Sequence, residues 1–238
     1  MGKVITFASL PYRELSRGVK QAPITGNEAR EMAAEVLRIA PGAQLVIAVP
    51  QRSDRYLFAV KGNVLITAKG QSLDMQQDGF AALQEGTEFT LANKGDTEAE
   101  ILSVTAPPDA ARSPHAGFAG RIAVLHPRTQ PVIEIPEQKK RRVYLVDKSA
   151  AQSERAHAMV VLYEKETVTN MHMHPNAESM FVILTGKVRF TVNGEEVVIE
   201  RGQATHFPVG DRHGLRVADG DVSFLEFHIP AQYTTIRG

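Results

Sequence analysis

His172 and His174 are two residues apart in Met171-His172-Met173-His174, a stretch that reads as a strand. Alternate side chains of an extended strand share a face, so both imidazoles project the same way. A third imidazole, His213, follows the tight turn Pro208-Val209-Gly210, and a carboxylate, Glu178, lies shortly after His174. Three imidazoles with a nearby acid suit one divalent transition metal ion, Fe, Mn, Ni, Cu or Zn, because imidazole favours these ions and the acid supplies charge. His206, two residues before Pro208, is a candidate catalytic group for proton transfer inside a barrel; its alternative is a buried, hydrogen-bonded histidine. Tyr163, Glu226 and His228 are weaker candidates. Alternation puts Glu226 and His228 on one face of their strand without saying which face points inward.

These stretches resemble the paired signature motifs of the cupin superfamily. His172, His174 and Gly186 match the first motif, and Gly202, Pro208, Gly210 and His213 match the second in spacing. Three departures stand out. Glu166 replaces the opening glycine, Val217 replaces the closing asparagine, and the acid is out of step. Counted back from Gly186, the family's glutamate falls on Ser179, whereas Glu178 stands one residue earlier. A bulge after Glu178 would bring its carboxylate to the metal; a regular strand would turn Ser179 inward and leave a three-histidine centre. Ligation by Glu178 is the expectation taken here, because a divalent ion in an apolar barrel gains from a nearby charge.

The resemblance implies a metal at the mouth of a β-barrel, with open positions for substrate or dioxygen. One such fold hosts many chemistries. The first expectation is dioxygenase-type chemistry on a small organic substrate. The second is redox-neutral isomerase, cyclase or lyase chemistry on a carbonyl compound, and the third is non-catalytic binding of a small molecule or metal. Met171, Met173, Met180, Phe181, Phe207, Phe224 and Phe227 promise an apolar shell that favours a small organic molecule over a heavily charged one.

The elements that must position these residues are short apolar or alternating runs separated by turn residues, the pattern of an all-β chain. At one constant offset Gly62 falls on Gly186, Gly70 on Gly194, Gly86 on Gly210, Val64 on Val188 and Ile101 on Leu225, an internal repeat that implies duplicated domains. With the resemblance, the expected fold is two tandem cupin-type β-barrels (double-stranded β-helix or jelly roll), a bicupin, with an extended N-terminal arm. The boundaries are 1–28 for the arm, 29–107 for a first barrel, 108–142 for a Pro-rich linker or ordered crossover and 143–238 for a second barrel. The same offset places Ala48, Pro50 and Phe89 opposite the three histidines and Arg55 opposite Ser179, so the first barrel has lost the site. His115 and His126 lie in the linker without a partner at metal spacing. Lys139-Lys140-Arg141-Arg142 reads as a solvated edge that discourages strand pairing. Asn193-Gly194 reads as a two-residue hairpin.

The chain has 238 residues, 43% of them hydrophobic, enough for a substantial core. Its 27 basic and 27 acidic residues cancel, which gives no global attraction to nucleic acid or membranes. There is no cysteine, which excludes disulfides and thiolate ligands. No apolar run approaches the ~20 residues of a membrane span, and the N-terminus lacks the regions of a signal peptide, so a cytoplasmic protein is expected. The arm, punctuated by Pro11 and Pro23, is expected to pair with a sheet edge; the resemblance implies a homodimer joined through such an edge, the alternative being an arm folded onto its own barrel.

Overall fold

The computed structural model describes residues 1–108, 114–147, 149 and 151–238. Four antiparallel sheets form two barrels. In the first, a seven-stranded sheet centred on Ala33–Ile39, Ala99–Ala106, Asp54–Lys61 and Phe80–Leu83 faces a four-stranded sheet of Gln44–Ala48, Glu88–Ala92, Val64–Ala68 and Gln71–Met75. In the second, a seven-stranded sheet centred on His157–Tyr163, Val222–Ile229, Glu178–Thr185 and Gln203–Phe207 faces a five-stranded sheet that includes Val168–Met173, His213–Arg216, Lys187–Val192 and Glu195–Glu200. No helix among the described residues is long and apolar enough to cross a membrane.

The two large sheets are apolar on both faces. Along Glu178–Thr185, Met180, Val182 and Leu184 enter a core shared between the barrels, while Phe181 and Ile183 enter the core of the second barrel. Asp54–Lys61 repeats this division, with Tyr56, Phe58 and Val60 in the shared core and Leu57 and Ala59 in the first barrel. Burial on both sides turns an alternating strand into a continuous apolar run. Tyr56, Phe80 and Phe227 meet at the centre of the shared core, with ring centroids 6.0 to 6.2 Å apart. Each such side chain contributes roughly 1.5–3 kcal/mol by burial.

The segments before each barrel are exchanged. Lys3–Thr6, ahead of the first barrel, pairs with Gln203–Phe207 of the second; Ile122–Leu125, ahead of the second, pairs with Phe80–Leu83 of the first. The hairpins that follow, Arg13–Ser16 with Val19–Pro23 and Ile133–Ile135 with Lys140–Val146, close the opposite sheet edges. Within the expected linker or crossover, residues 114–142 are an ordered crossover that pairs as a second arm; 109–113 lie outside the described residues. The N-terminal arm pairs within its own chain.

The repeat is real at its turns. Gly62 and Gly186 both take φ +73, a left-handed conformation that glycine adopts without steric cost. The constant offset fails at the last strand. Ile101 opposes Ala59 and faces the first barrel's core, whereas Leu225 opposes Val182 and faces the shared core; Phe224 is the residue equivalent to Ile101. One residue fewer in the second half flips every side chain that follows.

Candidate metal centre

A bulge aims the first two histidines. Val168 and Thr169 pair with Arg216 and Leu215, and the ladder then jumps to His172 opposite His213, so Asn170 and Met171 stand against Gly214 alone. A Cβ on Gly214 would lie 3.0 Å from Met171 Sδ and from Thr169 O; glycine is what lets the extra residue fit. The bulge turns His172 and His174 into the barrel, where His213 meets them from the neighbouring strand. Their ligand nitrogens all lie within 4.8 Å of one another, and they are the one group of at least three such side chains among the described residues.

The ring orientations fit a metal. Each Nδ1 lies against a backbone carbonyl: His172 on Asn170 O at 2.8 Å, His174 on Thr234 O at 3.0 Å and His213 on Asp211 O at 3.1 Å. Donation from Nδ1 fixes the tautomer whose Nε2 lone pair is free. Nε2 of His174 and of His213 are buried and have no hydrogen-bond partner, a costly arrangement unless an ion uses them. Burial, then the neighbouring imidazoles, lower His213 to about 3 and His174 to about 4, so both are neutral at pH 7. Phe207 stacks on His213 with centroids 4.3 Å apart and closes the barrel beneath it.

Glu178 is not part of this group. The strand is regular from Ser179, opposite Phe207, to Val182, so no bulge turns the acid inward. Glu178 shares the face of Met180, is fully buried, accepts the Arg30 N–H at 2.6 Å through Oε1 and lies 3.3 Å from His206 Nε2 through Oε2. His206 opposes Met180 and so also faces the shared core, away from the triad. The first half carries a counterpart. Asp54, likewise fully buried, accepts Phe118 N–H at 2.9 Å and pairs with Arg155 Nη1 at 3.0 Å. Both acids bond across to the other half and hold the two halves together.

Ser179 takes the inward position. Its Oγ lies 3.0 Å from His228 Nδ1, and His228 Nε2 lies 2.6 Å from Glu226 Oε1. A chain in which Ser179 donates to Nδ1 and Nε2–H donates to the carboxylate satisfies all three groups. Burial raises the Glu226 carboxyl, but the hydrogen bond from His228, with Arg142 nearby, outweighs it and holds it at about 2. The C-terminal tail covers this side: Tyr233 stacks on His228 at 4.0 Å, and Ile236–Arg237 pairs with Met173 and His172. Asn176 clamps the tail, donating to Gln232 O at 3.0 Å and accepting Thr234 N–H at 2.8 Å.

These walls enclose a chamber of about 170 Å³ that reaches His172, His174, Glu226, His228 and Tyr233, with Lys140, Arg142 and Arg237 around it. Of the expected apolar shell, Phe181, Phe207 and Phe224 lie beneath the triad, joined by Phe190, but Met180 and Phe227 belong to the shared core and the mouth is charged. The basic run is an interior strand, not a solvated edge: Lys140 and Arg142 oppose Tyr163 and Val161 and share the barrel face. Alternation within the run was the available signal. The tail residues Tyr233 and Arg237 have no signal in the sequence.

In the first barrel no bulge interrupts Gln44–Ala48, so Ile47 opposes Phe89 where His172 opposes His213. Ile47, Val49 and Phe89, all in that barrel's core, replace the triad; the constant offset had pointed to Ala48 and Pro50 instead. Arg55 does turn inward, where Glu35 Oε1 at 3.3 Å and Ser103 Oγ at 3.3 Å hold it. His126 lies in its loop with Nε2 3.3 Å from Gln77 O.

Residues 159–228 match the family model of the cupin domain. No curated protein sequence matches the chain. Solved structures do. Protein Ylba from E. coli superposes with a TM-score of 0.77 at 10% identity over 96% of this chain and 90% of its own. Oxalate decarboxylase of Lactobacillus farciminis, in a formate complex, gives 0.72 at 16% identity over 98% and 88%. The Cupin 2 conserved barrel domain protein from Leptotrichia buccalis gives 0.71 at 13% over 95% and 96%. The second barrel thus carries a match to the cupin domain, and the chain as a whole shares the fold of these cupin-type structures.

Proposed function

We propose that this protein is a metal-dependent enzyme whose single site lies at the mouth of the second barrel. His172, His174 and His213 hold one divalent transition metal ion through Nε2, and a small organic substrate occupies the adjoining chamber. The observation that carries the reading is the pair of buried, partnerless Nε2 atoms on His174 and His213, each on a ring locked through Nδ1. Bound there, such an ion supplies Lewis acidity and, if redox-active, dioxygen activation. The chain's own residues do the rest. The phenylalanines below exclude water, the tail covers the chamber, and Glu226 presents an ionised carboxylate steadied by His228.

Dioxygenase-type chemistry is the first form of this proposal. A second, redox-neutral lyase or isomerase chemistry, is favoured by Glu226 and His228, an acid–base pair facing the chamber that oxygen activation does not require. The equivalences between the strands of the two halves support a bicupin with one live site. A homodimer is kept as a proposal from the resemblance. Elemental analysis of freshly purified protein, beside His172→Ala, tests the core of the reading: about one equivalent in the parent and none in the variant is expected. Metal-dependent oxygen consumption then separates the two chemistries.

A further inference from the structure

The chamber beside the triad is the inner end of a funnel. An outer cavity of about 430 Å³, lined in part by Glu137, Lys139 and Glu166, shares Lys140, Tyr163, Thr169 and Arg237 with the inner chamber. Charge is uneven along it. In the outer part Lys139 Nζ lies 3.4 Å from Glu166 Oε2, and Glu137 adds a second acid. In the inner chamber Lys140, Arg142 and Arg237 face one carboxylate, Glu226, one of whose oxygens lies 2.6 Å from His228. The Arg142 side chain, which lines this chamber, hydrogen-bonds Tyr144, and its Nε is buried without a partner.

The cations come from two strands on either side of the triad. Lys140 and Arg142 alternate on the strand paired with His157–Tyr163, and Arg237 sits opposite His172 on the tail. Three cations against one carboxylate in a part-desolvated chamber are the complement of an anion.

We propose that the substrate is a small carboxylate, its anionic group held by Arg142, Lys140 and Arg237 and its remaining atoms directed at the three histidines. This rests on the metal-enzyme reading above and names its substrate class. The size follows from the chamber: about 170 Å³ is close to a cavity that accommodates benzene, so the ligand has about six to eight non-hydrogen atoms. Lys140 and Arg237, at the constriction between the two cavities, select for the anion on entry.

The test is calorimetric titration of the metal-loaded protein with butyrate, succinate and the neutral isostere butyramide. Butyrate is expected to bind at least about tenfold tighter than butyramide. Arg142→Gln, and separately Arg237→Gln on the exposed tail, reduce that preference to within about twofold with metal content unchanged. Equal affinity for butyrate and butyramide, no carboxylate binding at millimolar concentrations, or a preference that survives both substitutions overturns the proposal. His213→Ala keeps the two readings apart, because it removes the metal and leaves all three cations in place. A parent protein that prefers butyrate yet takes up no metal overturns the metal-enzyme reading alone. A metal-loaded protein indifferent to the charge of the probe overturns the carboxylate reading alone.

Discussion

Glu178 Oε2 lies 3.3 Å from His206 Nε2 on the face of the sheet opposite the histidine triad, so the two residues that spacing made a ligand and a proton carrier belong to the seam between the barrels. Glu178→Gln is therefore expected to leave metal content unchanged. It lowers stability by roughly 1–3 kcal/mol, because a charge-assisted bond to a buried backbone N–H is weakened and the partner of His206 changes. Chemical denaturation with metal analysis on the same samples checks both halves; loss of metal with unchanged stability would sink the assignment.

His213→Ala is expected to abolish metal uptake and leave the far-ultraviolet circular dichroism of a folded β protein. The three separate apolar cores carry stability without the ion. Unfolding on loss of this one side chain would make the centre structural.

Gly214→Ala probes the bulge. Its Cβ would meet Met171 Sδ and Thr169 O at 3.0 Å, so the strand must shift and carry His172 with it. Metal affinity is expected to fall roughly tenfold or more, as for other changes just outside a ligand shell, with the fold kept. Competition against a calibrated chelator measures it.

Acid should destabilise the metal-free protein in a defined window. His174 and His213 are lowered from 6.5 to about 4 and about 3, so below pH 6.5 the unfolded chain binds protons that the folded chain refuses. Stability is complete above pH 6.5 and declines as pH falls toward 3, by up to about 1.4 kcal/mol per pH unit for each histidine. Denaturant midpoints taken across that range, with His213→Gln as the flatter control, give the answer.

Much of this site is legible in the sequence because two histidines at period two and a third after Pro208-Val209-Gly210 leave few ways to converge. The count back from Gly186 also pointed to Ser179. Preferring Glu178 on grounds of charge overlooked a second home for a buried acid, the opposite face of a sheet that is covered on both sides. Single-residue insertions are the other blind spot. The extra residue at Asn170-Met171 and the missing one before Val222–Ile229 leave flanking turns in step, so the glycines of the repeat align while Ile47 and Val49, not Ala48 and Pro50, take the places of His172 and His174. Tyr233 and Arg237 act through a tail that pairs across the barrel mouth, and nothing local in the chain announces such a partner.

Neither barrel owns all of its strands. A fragment beginning after the first half would leave Gln203–Phe207 as a bare edge, stripped of Lys3–Thr6, and would present Met180, Val182, Leu184 and Phe227 to water. Bare edges and apolar faces recruit other chains. The half without the histidine triad is thus a built-in sheath for the half that has it, covering its open edge and its second apolar face.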